Sequence, residues 1–394
     1  MKLERICIGN FKSLYDTSFE PGKINVFIGA NGSGKSTVLE AIGLLSAAMT
    51  DRVDATSLQR RGVRLSVPTL YKSNFKDIKR RSPVINLSLE WNDNDTAHNF
   101  QYDVHLTTPT NSDYWKYHSE SFFQDGIQKW GRSNISHQKS NNYIGFFLLD
   151  DNKELENGRE IVRALSSYGV FQPNTMTLRG TIPDPSQIAP LGLNGGRLAE
   201  SIEELLSTVD NNVMFGDILM DNVLEMFNWA SNISVNAPGK NNINANIPTT
   251  RQIIEFRDRY MKDSTRFTGY DASEGALYVL FMLSLAMHPQ GPKIFAVDSF
   301  DHVLNPHLAK RMIEVFCQEI IKNGKTTFLT TYSPFVLDGL DIMNDDIRLF
   351  AVDRNSKGHS QITRITVSEE LLAEGQSLSR LWIDGRLGDE PTLI

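Results

Sequence analysis

The sequence predicts an α/β protein: a mixed, mostly parallel sheet with helices, carrying an inserted middle region. Three observations predict it. Ile24-Asn25-Val26-Phe27-Ile28 is an apolar run of strand length that enters the turn Gly29-Ala30-Asn31-Gly32-Ser33-Gly34-Lys35-Ser36-Thr37. That turn opens a helix with apolar residues at Val38, Leu39, Ile42 and Leu45. From residue 266 onward, strand-like and helix-like stretches alternate again, the mark of strand–helix–strand units.

In chain order, residues 2–20 read as a β-hairpin turning through Gly9-Asn10-Phe11-Lys12-Ser13, and the strand to Ile28 follows Pro21-Gly22. Residues 38–50 read as a helix. Between 60 and 81 the chain is basic: Arg60, Arg61, Arg64, Lys72, Lys76, Lys79, Arg80 and Arg81 face one acid, Asp77, with Tyr71 and Phe75 interleaved. That stretch is either a solvated face or a surface for phosphate groups or a partner. Val84 to Trp91 and Phe100 to Leu106 alternate around Asn92-Asp93-Asn94-Asp95, a second hairpin. From 108 to 265 the pattern is mixed, with helices expected near 157–167, 197–208 and 216–229. No heptad repeat is sustained, so no long coiled-coil arm is expected there.

Asp271-Ala272-Ser273-Glu274-Gly275 opens an apolar helix, Ala276 to Met287. Lys293 to Asp298 is a strand ending in an acid, and Leu308 to Lys322 an amphipathic helix. Thr326 to Thr331 is a further strand. Ile347 to Val352 and Ser360 to Val367 form a closing pair joined at Lys357-Gly358. Three regions follow: an N-terminal lobe over 1–107, an inserted mixed or helical region over 108–265, and a C-terminal lobe over 266–394.

Bulk properties narrow the function. A net charge of −7 on 394 residues excludes a polyanion binder driven by overall charge and leaves room for a local basic surface. The two cysteines, Cys7 and Cys317, sit in apolar patterns without metal spacing and read as buried reduced thiols, which fits a cytoplasmic location. Met1-Lys2-Leu3-Glu4-Arg5 does not read as a signal peptide, and the apolar run to Met287 is too short to cross a membrane. Seven of the eight histidines, His105, His118, His137, His288, His302, His307 and His359, lack metal-type spacing.

Gly29 to Thr37 fits G-x-x-x-x-G-K-[ST], the P-loop, in the strand–loop–helix setting that the motif requires. Gly29, Gly32 and Gly34 let the backbone turn tightly and aim its N–H groups inward, and Ala30, Asn31 and Ser33 lie between them in the same phosphate-binding loop. The following helix adds its positive end. Lys35 is placed to reach the β- and γ-phosphates of ATP, and the Ser36 hydroxyl, at the motif's last position, to ligate Mg²⁺, with Thr37 directly after it. A P-loop needs a second acid at the end of a neighbouring strand, and Asp298 follows four apolar residues. Ser273 and Gly275 stand at a helix start, a place that favours anions.

The set resembles the ABC-type ATPases of the RecF/SMC/OLD kind, and within them the single-chain "AAA family" ATPases. Ile8 to Ser13 looks like their opening strand, and Gly29 to Thr37 matches their Walker A. Ser273-Glu274-Gly275 matches their signature, and Val297 to Pro306 overlies their Walker B and D-loop. Thr330-Thr331-Tyr332-Ser333-Pro334 overlies their switch, and Leu381 to Gly388 resembles a tail of the group. The middle matches weakly, through Arg179 and Leu191 to Gly196. The resemblance implies a P-loop fold of ABC ATPase type. It also implies two subunits sandwiching nucleotide, each P-loop facing Ser273 and Gly275 of the other chain.

Two positions depart from that pattern. Ser299 stands where the family has the Glu that polarises the attacking water, and Tyr332 where it has His. A serine hydroxyl is no base at neutral pH, and a tyrosine does not titrate there. Asp301 is the acid left nearby. Intact binding parts with altered hydrolysis parts imply firm ATP·Mg²⁺ binding, nucleotide-driven self-association and slow hydrolysis. Two functions follow. One is a sensor or scaffold in prokaryotic anti-phage defence, working with a separately encoded effector such as a nuclease. The other is a RecF-like DNA-repair ATPase that clamps nucleic acid. A small-molecule kinase and a transporter subunit fit the signature and the Phe11-Lys12-Ser13 region less well.

Overall fold

In a computed structural model of the chain, the described residues are 1–79, 82–93, 96–109, 114–132, 143–148, 158–186, 188–210, 213–239, 242–244, 246–248, 251–366 and 377–387. Arg80, Arg81, Asn94, Asp95, His137, Val367 and Gly388 lie outside them. The N-terminal part contains β1 (Lys2–Phe11), β2 (Leu14–Phe19), β3 (Ile24–Ile28), α1 (Lys35–Thr50), α2 (Ala55–Arg60), α3 (Pro68–Tyr71), β4 (Ile85–Asp93) and β5 (His98–Thr107). The middle supplies β6 (Lys116–Gln124), β7 (Ile127–Arg132), α4 (Arg159–Ser166), β8 (Val170–Phe171), α5 (Thr175–Leu178) and α6 (Leu198–Ser207). It continues with β9 (Val209–Asp210), β10 (Val213–Met214), α7 (Phe215–Met226), β11 (Ala230–Asn236) and β12 (Ile253–Asp258). Then come β13 (Phe267–Thr268), α8 (Glu274–Met287), β14 (Ile294–Val297), α9 (Pro306–Lys322) and β15 (Thr326–Thr330). The chain closes with α10 (Pro334–Leu337), β16 (Ile347–Arg354), β17 (Ser360–Ile365) and α11 (Leu378–Ile383).

Two six-stranded sheets carry the fold. One has the order β2-β1-β4-β5-β6-β7 and is antiparallel; residues 116–132 continue the sheet begun by the two expected hairpins. The other has the order β17-β16-β3-β15-β14-β8 and is parallel except for β17 at its edge. β3 lies between β16 and β15, with Val26 level with both Leu349 and Leu329.

The parallel strands are apolar because both faces are covered. Along β3, Ile24, Val26 and Ile28 enter one core with α8 and α9, whereas Phe27 points into the other core with α1 and the antiparallel sheet. α1 is buried from Thr37 to Met49, and α8 from Ala276 to Met287, so each helix is apolar almost all round. Cys317 on α9 is buried, and that burial pushes its thiol up to about 12. The longest helix among the described residues is α9, with 17 residues, and none there is long and apolar enough to cross a membrane.

The expected elements are present with shifted ends. α1 starts at Lys35 instead of 38, because the P-loop glycines run straight into the first helical turn. α7 stops at Met226, where the chain turns towards β11.

Candidate nucleotide site

The site forms where the parallel strands end, at their C-terminal edge, the usual ligand crevice of open α/β sheets. β3 delivers the P-loop, β14 delivers Asp298, β15 delivers Thr330 to Tyr332, and β8 delivers Gln172. Loop geometry explains two of the glycines. Gly29 has φ +145 and Gly34 φ +118, in the left-handed region. A Cβ at Gly29 would also strike Val352 O, and one at Gly34 would strike Ser360 Oγ. The loop is braced from behind: Arg354 Nε donates to Gly32 O (2.9 Å), and the Ser360 hydroxyl donates to Ser33 O.

Ser36 and Asp298, 262 positions apart in sequence, meet at 2.9 Å, Ser36 Oγ donating to Asp298 Oδ1. Thr330 Oγ1 donates to the same oxygen at 2.6 Å and accepts from Ser299 N at 2.8 Å. Gln172 Nε2 reaches Asp298 Oδ2 at 3.4 Å. Lys35 is 3 % exposed, and its Nζ donates to Gly29 O (2.7 Å) and Ala30 O (2.9 Å) under the ring of Tyr332, 3.9 Å from the ring centroid. Burial lowers its pKa to about 8, against the opposing pull of Asp298, Asp353 and Asp301. Burial raises the Tyr332 phenol, and the charges of Asp298 and Asp301 add to it, so the hydroxyl keeps its proton.

Asp301 is tied to the switch segment: its Oδ1 accepts from Thr331 Oγ1 (2.7 Å) and from Tyr332 N (3.2 Å). Ser299 has φ +62, and the buried Tyr278 hydroxyl donates to Phe300 O at 3.0 Å, fixing the turn after Asp298. Lys35, Ser36, Asp298, Ser299, Asp301 and Tyr332 therefore share one neighbourhood. Ser273 and Gly275 stand at the start of α8. Ser273 caps α8, its oxygen accepting from Ala276 N at 3.3 Å, and a Cβ on Gly275 would lie 3.7 Å from Val303 O and Leu308 Cδ2.

The structure also shows what the sequence did not single out. Gln172 follows a strand of two residues, too short for any periodicity to announce. Glu40, one turn along α1, is buried and paired with Lys12 (2.6 Å) and Arg64 (2.5 Å). The basic stretch divides: Arg61 is buried and donates to Ser46, Ser57 and Thr50, Arg64 serves Glu40, and Arg80 and Arg81 lie outside the described residues. A cavity of about 1110 Å³ lies beside Ser36 and Asp298, lined also by Arg64, Tyr168 and Gln172.

The residues present fit a triphosphate. The loop backbone is open at Gly32, where a Cβ would meet nothing within 4 Å. The Ser33 hydroxyl is buried within the loop without a partner, and Ser36 and Asp298 set two oxygens side by side for a divalent cation.

The fold is that of an ABC-type P-loop head. The AAA ATPase domain family matches residues 1–158. The chain aligns with an SMC head bound to the C-winged helix domain of ScpA over 94 % of this chain and 100 % of that one, with a TM-score of 0.55 at 12 % identity, a likeness of fold. It is 45 % identical over 53 residues, 13 % of its length, to the DNA replication and repair protein RecF of Pseudomonas fluorescens (strain Pf0-1). It is 35 % identical over 78 residues, 20 % of its length, to the DNA double-strand break repair Rad50 ATPase of Saccharolobus solfataricus. These matches span 14 % of the RecF relative and 9 % of the Rad50 relative. The sequence matches are thus to an AAA ATPase domain over residues 1–158 and to short stretches of RecF and Rad50 proteins, and the structural likeness to the SMC head is one of fold.

Proposed function

We propose that the chain is an Mg²⁺-dependent, ATP-binding clamp that associates with a second copy of itself when loaded and hydrolyses ATP slowly. The single observation that carries this reading is the meeting of Ser36, Asp298 and Thr330 beside the P-loop. Residues 29–37 cradle the phosphates, Lys35 neutralises them, and Ser36 with Asp298 holds the cation. Mg²⁺, when bound, offsets the charge on the phosphate oxygens. Ser273 and Gly275 complete the site of a partner copy from the start of α8, where backbone N–H groups and the helix dipole favour an anion. The lobes 1–107 and 266–394 supply these parts, and 108–265 is the insert between them.

Hydrolysis is slow because Ser299 offers no base. Asp301, the acid beside it, is engaged by Thr331 and by the Tyr332 amide. In the setting we infer, the clamp is a cytoplasmic sensor or scaffold for a separately encoded effector in anti-phage defence, a reading that rests on the resemblance of its motifs. The names of the RecF and Rad50 relatives favour a second reading, a DNA-repair clamp acting on nucleic acid. ATP turnover tests the chemistry. Ser299→Glu is expected to raise kcat at least tenfold, short of the roughly 10²- to 10⁴-fold that a fully positioned general base supplies. A wild type that turns over rapidly and gains nothing from Ser299→Glu contradicts it.

A further inference from the structure

We propose that Tyr332 is a gate on Lys35: its ring occupies the open side of the ammonium group and must swing away before a phosphate oxygen can take that place. This rests on the reading of Lys35 as the phosphate-binding lysine.

An ammonium has three N–H donors. Two of those on Lys35 are used within the loop, on Gly29 O and Ala30 O. The third side is covered by the Tyr332 ring at 3.9 Å, well inside the range of a cation–π contact. The ring shields one group and borders water on its other face: Tyr332 is 49 % exposed and Lys35 only 3 %. The Tyr332 side chain can move without opening a core. Phe335, three residues on, is also exposed, at 44 %. The backbone beneath the ring is held in place by Tyr332 N on Asp301 and by Ser333 N on Thr331 Oγ1, 3.0 Å. A fixed backbone with a half-exposed ring describes a side chain that turns about its own bonds. Lys35 is thereby satisfied within its own subunit, and phosphate competes with an aromatic face for the same cation.

The test has two arms at one fixed pH, on the full chain. In the first, nucleotide-free protein is treated with a small amine-acylating reagent, and modification of Lys35 is read by peptide mass spectrometry. Tyr332→Ala is expected to raise the rate at Lys35 about three- to tenfold, in line with a partly exposed cation–π contact, while Tyr332→Phe, which keeps the ring, matches wild type. In the second, stopped-flow binding of a fluorescent ATP analogue is expected to be faster in Tyr332→Ala by a similar factor and unchanged in Tyr332→Phe. Equal acylation of Lys35 in wild type and Tyr332→Ala overturns the gate, as does a Tyr332→Phe that behaves like Tyr332→Ala. Wild type that fails to bind the analogue overturns the nucleotide reading, while the acylation arm still decides whether the ring shields Lys35.

Discussion

Glu40 shows how much of the site depends on one residue behind it. Its carboxylate is buried on α1, one turn beyond Ser36, where an unpaired charge would not be tolerated. Burial pushes its pKa up, but the hydrogen bond from Arg64 and the charge and hydrogen bond of Lys12 outweigh that and hold it below the ordinary value. The pair fixes the turn between β1 and β2, where Lys12 sits at φ +50, against the helix that follows the P-loop. Glu40→Gln leaves Lys12 largely buried without its counter-charge. The expected loss is about 3 kcal/mol, the low end of the range for a broken buried pair, because Arg64 is well exposed. Urea unfolding measures it; a loss below about 0.5 kcal/mol, the size of an ordinary surface change, contradicts the assignment. The residues that touch phosphate in P-loops were legible because their spacing is itself the motif. Glu40 was not, because its partners Lys12 and Arg64 come from other elements and only the fold brings them together.

At the scale of elements, α8 and β15 meet at a buried lysine. Lys325, at the foot of β15, is 1 % exposed and donates to Leu285 O (2.8 Å) and His288 O (2.9 Å), the last carbonyls of α8. Lys293, His288, Arg197 and Glu204 are the charged or titratable groups around it, and Glu204 pairs with His288 at 3.0 Å. Burial lowers the pKa of Lys325 from 10.5 to about 7, and Lys293 adds to that. Between those values the unfolded chain carries a proton that the folded chain has released, so stability rises with pH across that window. From pH 7 to pH 9 the gain is about 2 kcal/mol. Lys325→Met is expected to flatten that slope in urea midpoints, and a variant with the wild-type slope contradicts it. The elements themselves were legible where they were long and one-sided: α8, α9, β3 and the two hairpins. β8 was not, because two residues carry no period, and with it Gln172 escaped notice. Residues 116–132 were not, because the edge strand β7, Ile-Gln-Lys-Trp-Gly-Arg, exposes much of both faces and gives a weak alternation.

At the scale of the whole molecule, one subunit brings Lys35, Ser36, Asp298, Asp301 and Tyr332 together beside the P-loop, while Ser273 and Gly275 stand at the start of α8. A clamp made of two copies gives those residues a use. On the proposed reading, a grip that must persist gains from Ser299 in place of a carboxylate. The central claim is nucleotide-driven association. The measurement that tests it most directly is mass by light scattering, with and without ATP·Mg²⁺, on wild type and on Ser273→Arg. The account predicts a doubling of mass on adding ATP·Mg²⁺ to wild type and no change in Ser273→Arg. A mass that is the same with and without nucleotide, in a wild type shown to bind ATP, would contradict it.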